Sequence, residues 1–272
     1  MPENGLATYD DRDDGKKAPK RKDLPTPFVQ GFRIKLAEAF DAIDPASGLA
    51  LRHCIGVYLF YDYDDQPIYV GQTTENFGTR VGRHLTGQRT DTVAYRILDP
   101  FEVAKIRLYP TQHFTALSAA DKKYSVDQLE YSVYIDAIKR SKYKAILNEK
   151  IPNPRPLTDL PPSQVFDLIP EELRADRDHP DVRIARRADT LARLAAVAHE
   201  RGEVTPGLRR VIVLQALRLV DIGSARLAYA EGRRRTPISA INIEALVGSV
   251  LREFSEKPDK NEPAEPVVIE DE

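Results

Sequence analysis

Cysteine is almost missing from this chain, with one residue, Cys54, in 272. A single thiol excludes an internal disulfide and any cysteine-rich zinc site. Cys54 stands just ahead of an apolar run and reads as a small buried hydrophobe. Also lacking is any apolar stretch near the ~20 residues that a membrane-spanning helix needs. Met1–Lys22 has no apolar segment of the secretory type, so a cytoplasmic protein is expected. Histidine is scarce, and His53, His113, His179 and His199 show no metal-ligand spacing. Neither a glycine-rich phosphate loop, a Ser/His/Asp pattern, a helix-turn-helix nor a zinc finger stands out. What remains is the composition of a globular protein, with 42% hydrophobic and 30% charged residues.

The net charge of −2 is unevenly distributed. Glu253–Glu272 holds eight acidic residues against two lysines, whereas Phe28–Arg155 holds 17 Lys and Arg against 15 Asp and Glu. Without its acidic end the chain is mildly basic, so its overall charge does not exclude a polyanionic partner. Residues 1–27 join an acidic cluster to the basic run Lys16–Lys22 and lack a hydrophobic face, which predicts a disordered charged arm. Residues 256–272 predict an acidic disordered tail by the same reasoning.

Between these ends the hydrophobic periodicity changes once. Phe28, Phe32, Leu36 and Phe40 recur every four residues and predict a helix. Ile55–Tyr61 and Pro67–Gly71 are β-rich runs around the polar turn Asp62–Gln66, which predicts a hairpin. Asn76 is a candidate cap for a helix through Arg80, Val81, His84 and Leu85, with Gly87 as its stop. Phe101–Tyr109 alternates like a third strand, and a long helix is expected from about Ser125 to Arg140. Pro152, Pro154 and Pro156 then mark a boundary. Beyond them the periods around Val165–Leu173, Ile184–Ala198, Leu208–Val220 and Ile238–Phe254 predict four or five helices and no strand. Thr205-Pro206 and Thr236-Pro237 have the form of helix starts. The expected fold is α/β, a small three-stranded antiparallel sheet flanked by helices over residues 28–155. An all-helical domain for targeting or oligomerisation, possible as a homo-oligomer interface, is expected over 156–255.

Gly56-Val57-Tyr58, followed eleven residues after its tyrosine by Tyr69-Val70-Gly71, resembles the two signature strands of the GIY-YIG nuclease family. Valine replaces isoleucine in each. Arg80 and His84 follow at i and i+4, on one face of a helix, and are similar to the family's Arg-x-x-x-His element. Glu130, in the long helix after the third strand, is similar to its metal-binding glutamate. Asn148 follows as the family's asparagine does, with Asn153 a second candidate for that position. The resemblance covers less than half of the chain. It implies a DNA endonuclease with one Mg2+ or Mn2+ ion per active site, of restriction, phage-defence or mobile-element type. A repair-type incision enzyme, or an inert nucleic-acid-binding protein on the same scaffold, are the alternatives.

The chemistry asks for the same side chains. Phosphodiester hydrolysis must neutralise phosphoryl oxygens, activate a water and stabilise the leaving alkoxide. Magnesium is commonly held by only one or two carboxylates, so Glu130 suffices as its ligand. Arg80 can pair bidentately with phosphate oxygens. The hydroxyls of Tyr58 and Tyr69 can order or deprotonate the water, and His84 can share that proton traffic. The resemblance makes Tyr58 the general base, and Asn148 is expected to hold the site together through its amide. Arg83, Arg89, Arg96, Lys105 and Arg107 are candidates for duplex DNA backbone contacts. Arg183, Arg186, Arg187, Arg209, Arg210, Arg218 and Arg233–Arg235 could serve DNA equally or form a solvated or oligomeric face.

Overall fold

The computed structural model describes residues 25–86 and 97–251. The arm up to Leu24, Gly87, Arg89, Arg96 and everything from Arg252, including the acidic end, lie outside the described residues. Helix α1 (Pro27–Asp41) starts with proline in its first turn and buries Phe28, Phe32, Leu36 and Phe40 along one stripe. Strands β1 (Gly56–Tyr61) and β2 (Pro67–Thr73) form the expected antiparallel hairpin. Asp62 closes its turn, its Oδ1 accepting from the Asp64 and Gln66 amides, each at 3.0 Å. Helix α2 (Phe77–Leu85) begins where Asn76 Oδ1 accepts from the Thr79 amide at 2.7 Å.

Strand β3 (Lys105–Pro110) is shorter than its alternating pattern suggests, because Pro100–Glu102 turns as a 3-10 helix before it. Helix α3 (Ala119–Arg140) is longer than expected and starts at the Ser118 cap. Its first turn carries no large apolar residue, so hydrophobic periodicity alone could not reveal it.

The sheet has four strands, not three, in the order β2-β1-β3-β4. Strand β4 (Gln164–Asp167) pairs antiparallel with β3 inside the stretch expected to be helical. A four-residue strand offers too few positions to separate a period of 2 from one of 3.6, and pairing with β3 decides the outcome. The remaining helices are α4 (Glu171–Asp178), α5 (Pro180–Arg201), α6 (Pro206–Ala230) and α7 (Ile243–Val247). The helix expected over Ile238–Phe254 is instead a 3-10 turn, Ile238–Ala240, followed by the short α7, which ends at Gly248 with φ 69°. Only glycine takes that backbone readily, so the period breaks there. Among the described residues no helix is long and apolar enough to cross a membrane.

One buried hydrophobic cluster runs through the molecule. It includes Phe28, Val57 and Tyr134 and, from beyond the proline boundary, Leu168, Leu194, Leu208 and Leu214. Buried charge joins the same parts. Arg187 Nε donates to Glu102 at 2.8 Å, and Arg218 donates to Asp62 at 3.0 Å, tying α5 and α6 to the hairpin turn and to the lead of β3. Arg187 also donates to the Arg218 carbonyl at 3.0 Å. All four side chains are buried, a setting that tolerates charge only when it is paired and hydrogen-bonded.

Candidate active site

Because β2 is an outer strand, its edge opens between the elements that cover the two faces of the sheet. Cross-strand register puts Tyr58 opposite Gly71 and Phe60 opposite Tyr69, on one face. Helix α2 covers that face: the His84 ring lies 4.9 Å from Tyr69, edge-on, and 5.5 Å from Phe60. Helix α3 covers the other, where Gln72 Nε2 donates to Asp127 Oδ1 at 2.5 Å. A cleft of about 500 Å3 lies astride the strand edge. Tyr69, Arg80, His84, Glu130, Asn148 and Asn153 all line it.

Tyr58 does not line the cleft and is fully buried. It lies one layer behind, 6.4 Å from both the Tyr69 and His84 ring centroids. A Cβ on Gly71 would stand 2.4 Å from the Tyr58 hydroxyl. The absence of a side chain there therefore lets the phenol lie across β2 and bring its oxygen to the strand that forms the cleft floor.

Asn148 is buried and works on the backbone. Its Oδ1 accepts from the Val70 amide at 3.0 Å and its Nδ2 donates to the Val70 carbonyl at 2.8 Å. The pair clamps β2 one residue from Tyr69. Asn153 is exposed at the rim.

Several contributors escaped the sequence reading, among them Gln72, Lys123, Asp127, Glu149 and Lys150. Asp127 stands three residues before Glu130 on the same face of α3, a spacing visible in the sequence. Lys123 pairs with it at 3.0 Å. Burial, then the charge of Asp127, pushes the Glu130 carboxyl up to about 7, while Gln72, Lys123 and Arg80 pull it back. Two carboxyls thus share this wall of the cleft, and a cation bound there would favour their charged forms. Among the described residues no group of three or more His, Cys, Asp or Glu gathers as a metal cluster. A hard oxygen donor from one or two carboxylates still fits magnesium or manganese, which keep much of their water.

The candidate backbone-contacting residues are placed elsewhere. Arg83 pairs with Glu75 at 2.8 Å and Lys105 with Asp65 at 2.7 Å, and Arg107 lies over the Tyr61 ring. None of the three lines the cleft, and Arg89 lies outside the described residues. In the helical region Arg183, Arg186, Arg187 and Arg218 are engaged in ion pairs within the chain.

Neither a curated protein nor a solved structure matches this chain. A family model does: residues 54–144 match the GIY-YIG catalytic domain. That span holds Tyr58, Tyr69, Arg80, His84 and Glu130 and ends before Asn148. Members act on nucleic acid and generally depend on a divalent metal ion. With the signature strands paired in one hairpin and the cleft at their edge, the chain carries a GIY-YIG catalytic domain, a nuclease domain.

Proposed function

We propose that the protein is a metal-dependent DNA endonuclease of restriction, phage-defence or mobile-element type. The observation that carries this reading is the gathering of Tyr69, Arg80, His84 and Glu130 around one open cleft within the matched segment. Arg80 has no carboxylate within ion-pair distance among the described residues, so its guanidinium is available to grip a phosphate. Glu130 would hold the divalent ion, with Asp127 adding to the local field. When bound, that ion would supply charge neutralisation at the phosphoryl oxygens and a more acidic water.

The chain's own groups do the rest. Tyr69, in the cleft wall, orders the attacking water. Tyr58, its oxygen reaching the cleft floor at Gly71, would take the water's proton as a phenolate and become the phenol, and His84 packs edge-on against Tyr69 and keeps that ring in place. Asn148 fixes the height of β2 through both polar groups of Val70.

The decisive experiment incubates the purified chain with supercoiled plasmid and magnesium, beside the same reaction in chelator. Nicked or linear product only with the metal is expected. Intact plasmid in both, with single-stranded DNA and RNA equally untouched, would leave the cleft without this function.

A further inference from the structure

The sheet and helices α2 and α3 supply only part of the cleft wall. Two other pieces, the turn at Asn148–Lys150 and Ile97, come from connecting chain, and both are held by α6. At its first turn, Thr205 Oγ1 donates to Glu149 Oε1 at 2.7 Å and Arg210 donates to the Glu149 carbonyl at 3.1 Å. Between them Gly207 packs so tightly that a Cβ would stand 2.1 Å from the Glu149 carbonyl oxygen. Two turns further on, the buried Gln215 Nε2 donates to the Ile97 carbonyl at 2.9 Å. One helix thus reaches both pieces of wall, and the nearer one carries the Asn148 clamp on Val70, next to Tyr69.

We propose that α6 is a brace of the active site, with Gly207 and Arg210 as positioning residues that fix the Asn148 turn, and through it the height of β2 and Tyr69, and with Gln215 as the positioning residue that fixes the wall at Ile97. This rests on the nuclease reading for its catalytic consequence but not for its structural one. The contacts are specific. A neutral carbonyl receives a charged donor, so losing Arg210 leaves that carbonyl without its partner at a half-buried site. Reacting groups misplaced by about an ångström can lose roughly 100-fold in rate, so small movements of this turn matter. The brace lies entirely outside the residues that match the catalytic domain.

The test uses the full chain and four variants: Arg210→Met, Arg210→Lys, Gln215→Leu and, as a control, Arg226→Met. Arg226 is on the same helix but, among the described residues, its ion pair is with exposed Asp181 and its guanidinium lies over the Tyr229 ring, away from Glu149 and Ile97. Single-turnover cleavage of plasmid at saturating protein, normalised to folded protein, is expected to fall about tenfold for Arg210→Met and Gln215→Leu. DNA affinity should stay within twofold, Arg210→Lys should recover most of the rate, and Arg226→Met should match the parent. Amide hydrogen exchange supplies a readout independent of activity: exchange at Val70 and across 147–150 should rise for Arg210→Met and not for Arg226→Met. Unchanged exchange and parental rates in both brace variants would overturn the proposal. A parent that cuts nothing while exchange rises would instead refute the nuclease reading and keep the brace.

Discussion

The matched segment and the helical region after it use arginine in opposite ways. In the first, Arg80 faces a cleft with no ion-pair partner among the described residues. In the second, Arg183, Arg187 and Arg218 are buried and bound to Asp64, Glu102 and Asp62 of the matched segment itself. A cation kept free is available to a ligand, and one buried in a network is a structural part whose loss strands its partners. A charge count alone ranks both kinds equally, since it carries no burial.

The sharpest way to break this contrast is at the cleft. Glu130→Gln should abolish cleavage, by at least about 1000-fold, because charge neutralisation and water activation go together. DNA binding should persist, since it rests on Lys and Arg contacts to phosphate. A gel of cleavage and binding side by side reads both, and a variant cutting at the parental rate would mean the metal ligand is elsewhere.

Next in size is Arg187→Ala. It leaves Glu102 and Asp62 buried without one of their cations, which costs about 3–5 kcal/mol. The denaturation midpoint should drop steeply in urea. A loss under 1 kcal/mol would place Arg187 in the solvated class instead.

Smallest is a pH effect. Burial works to raise the Asp64 carboxyl, but the Arg183 hydrogen bond and charge, with Lys142 and Arg187, hold it down to about 2. A depressed carboxylate contributes stability that is present above its ordinary value near 3.8 and lost as pH falls through about 2. Asp64 is partly exposed, so solvent screening leaves on the order of 1 kcal/mol. The stability gap between the parent and Asp64→Asn should therefore close between pH 4 and 2. A gap constant over that window would refute the pairing.

Much of the candidate site's local structure was legible because its signals are local. The hairpin shows in two β-rich runs around Asp62–Gln66, Asn76 is a cap with the right neighbours, and Arg80 and His84 share a helix face by spacing alone. What could not be read depends on distant partners. Strand β4 exists because β3 has a free side, and α6 braces Glu149 and Ile97 across 56 and 118 positions of sequence. Asp127 is the intermediate case. Its spacing from Glu130 was available, but its pairing with Gln72 needed the fold.

The Asn148 clamp has one more consequence. An outer strand ordinarily offers a row of unpaired amides and carbonyls that can template another chain. Here the Leu147 amide donates to the Ile68 carbonyl at 2.8 Å, and the Asn148 carboxamide then answers Val70 as a peptide group would. A single side chain thus imitates the next strand. At the opposite margin, β4 is only four residues long. With one margin answered by a side chain and the other kept short, this molecule can hold its cleft at a sheet edge with less of the exposed ladder that invites edge-to-edge pairing.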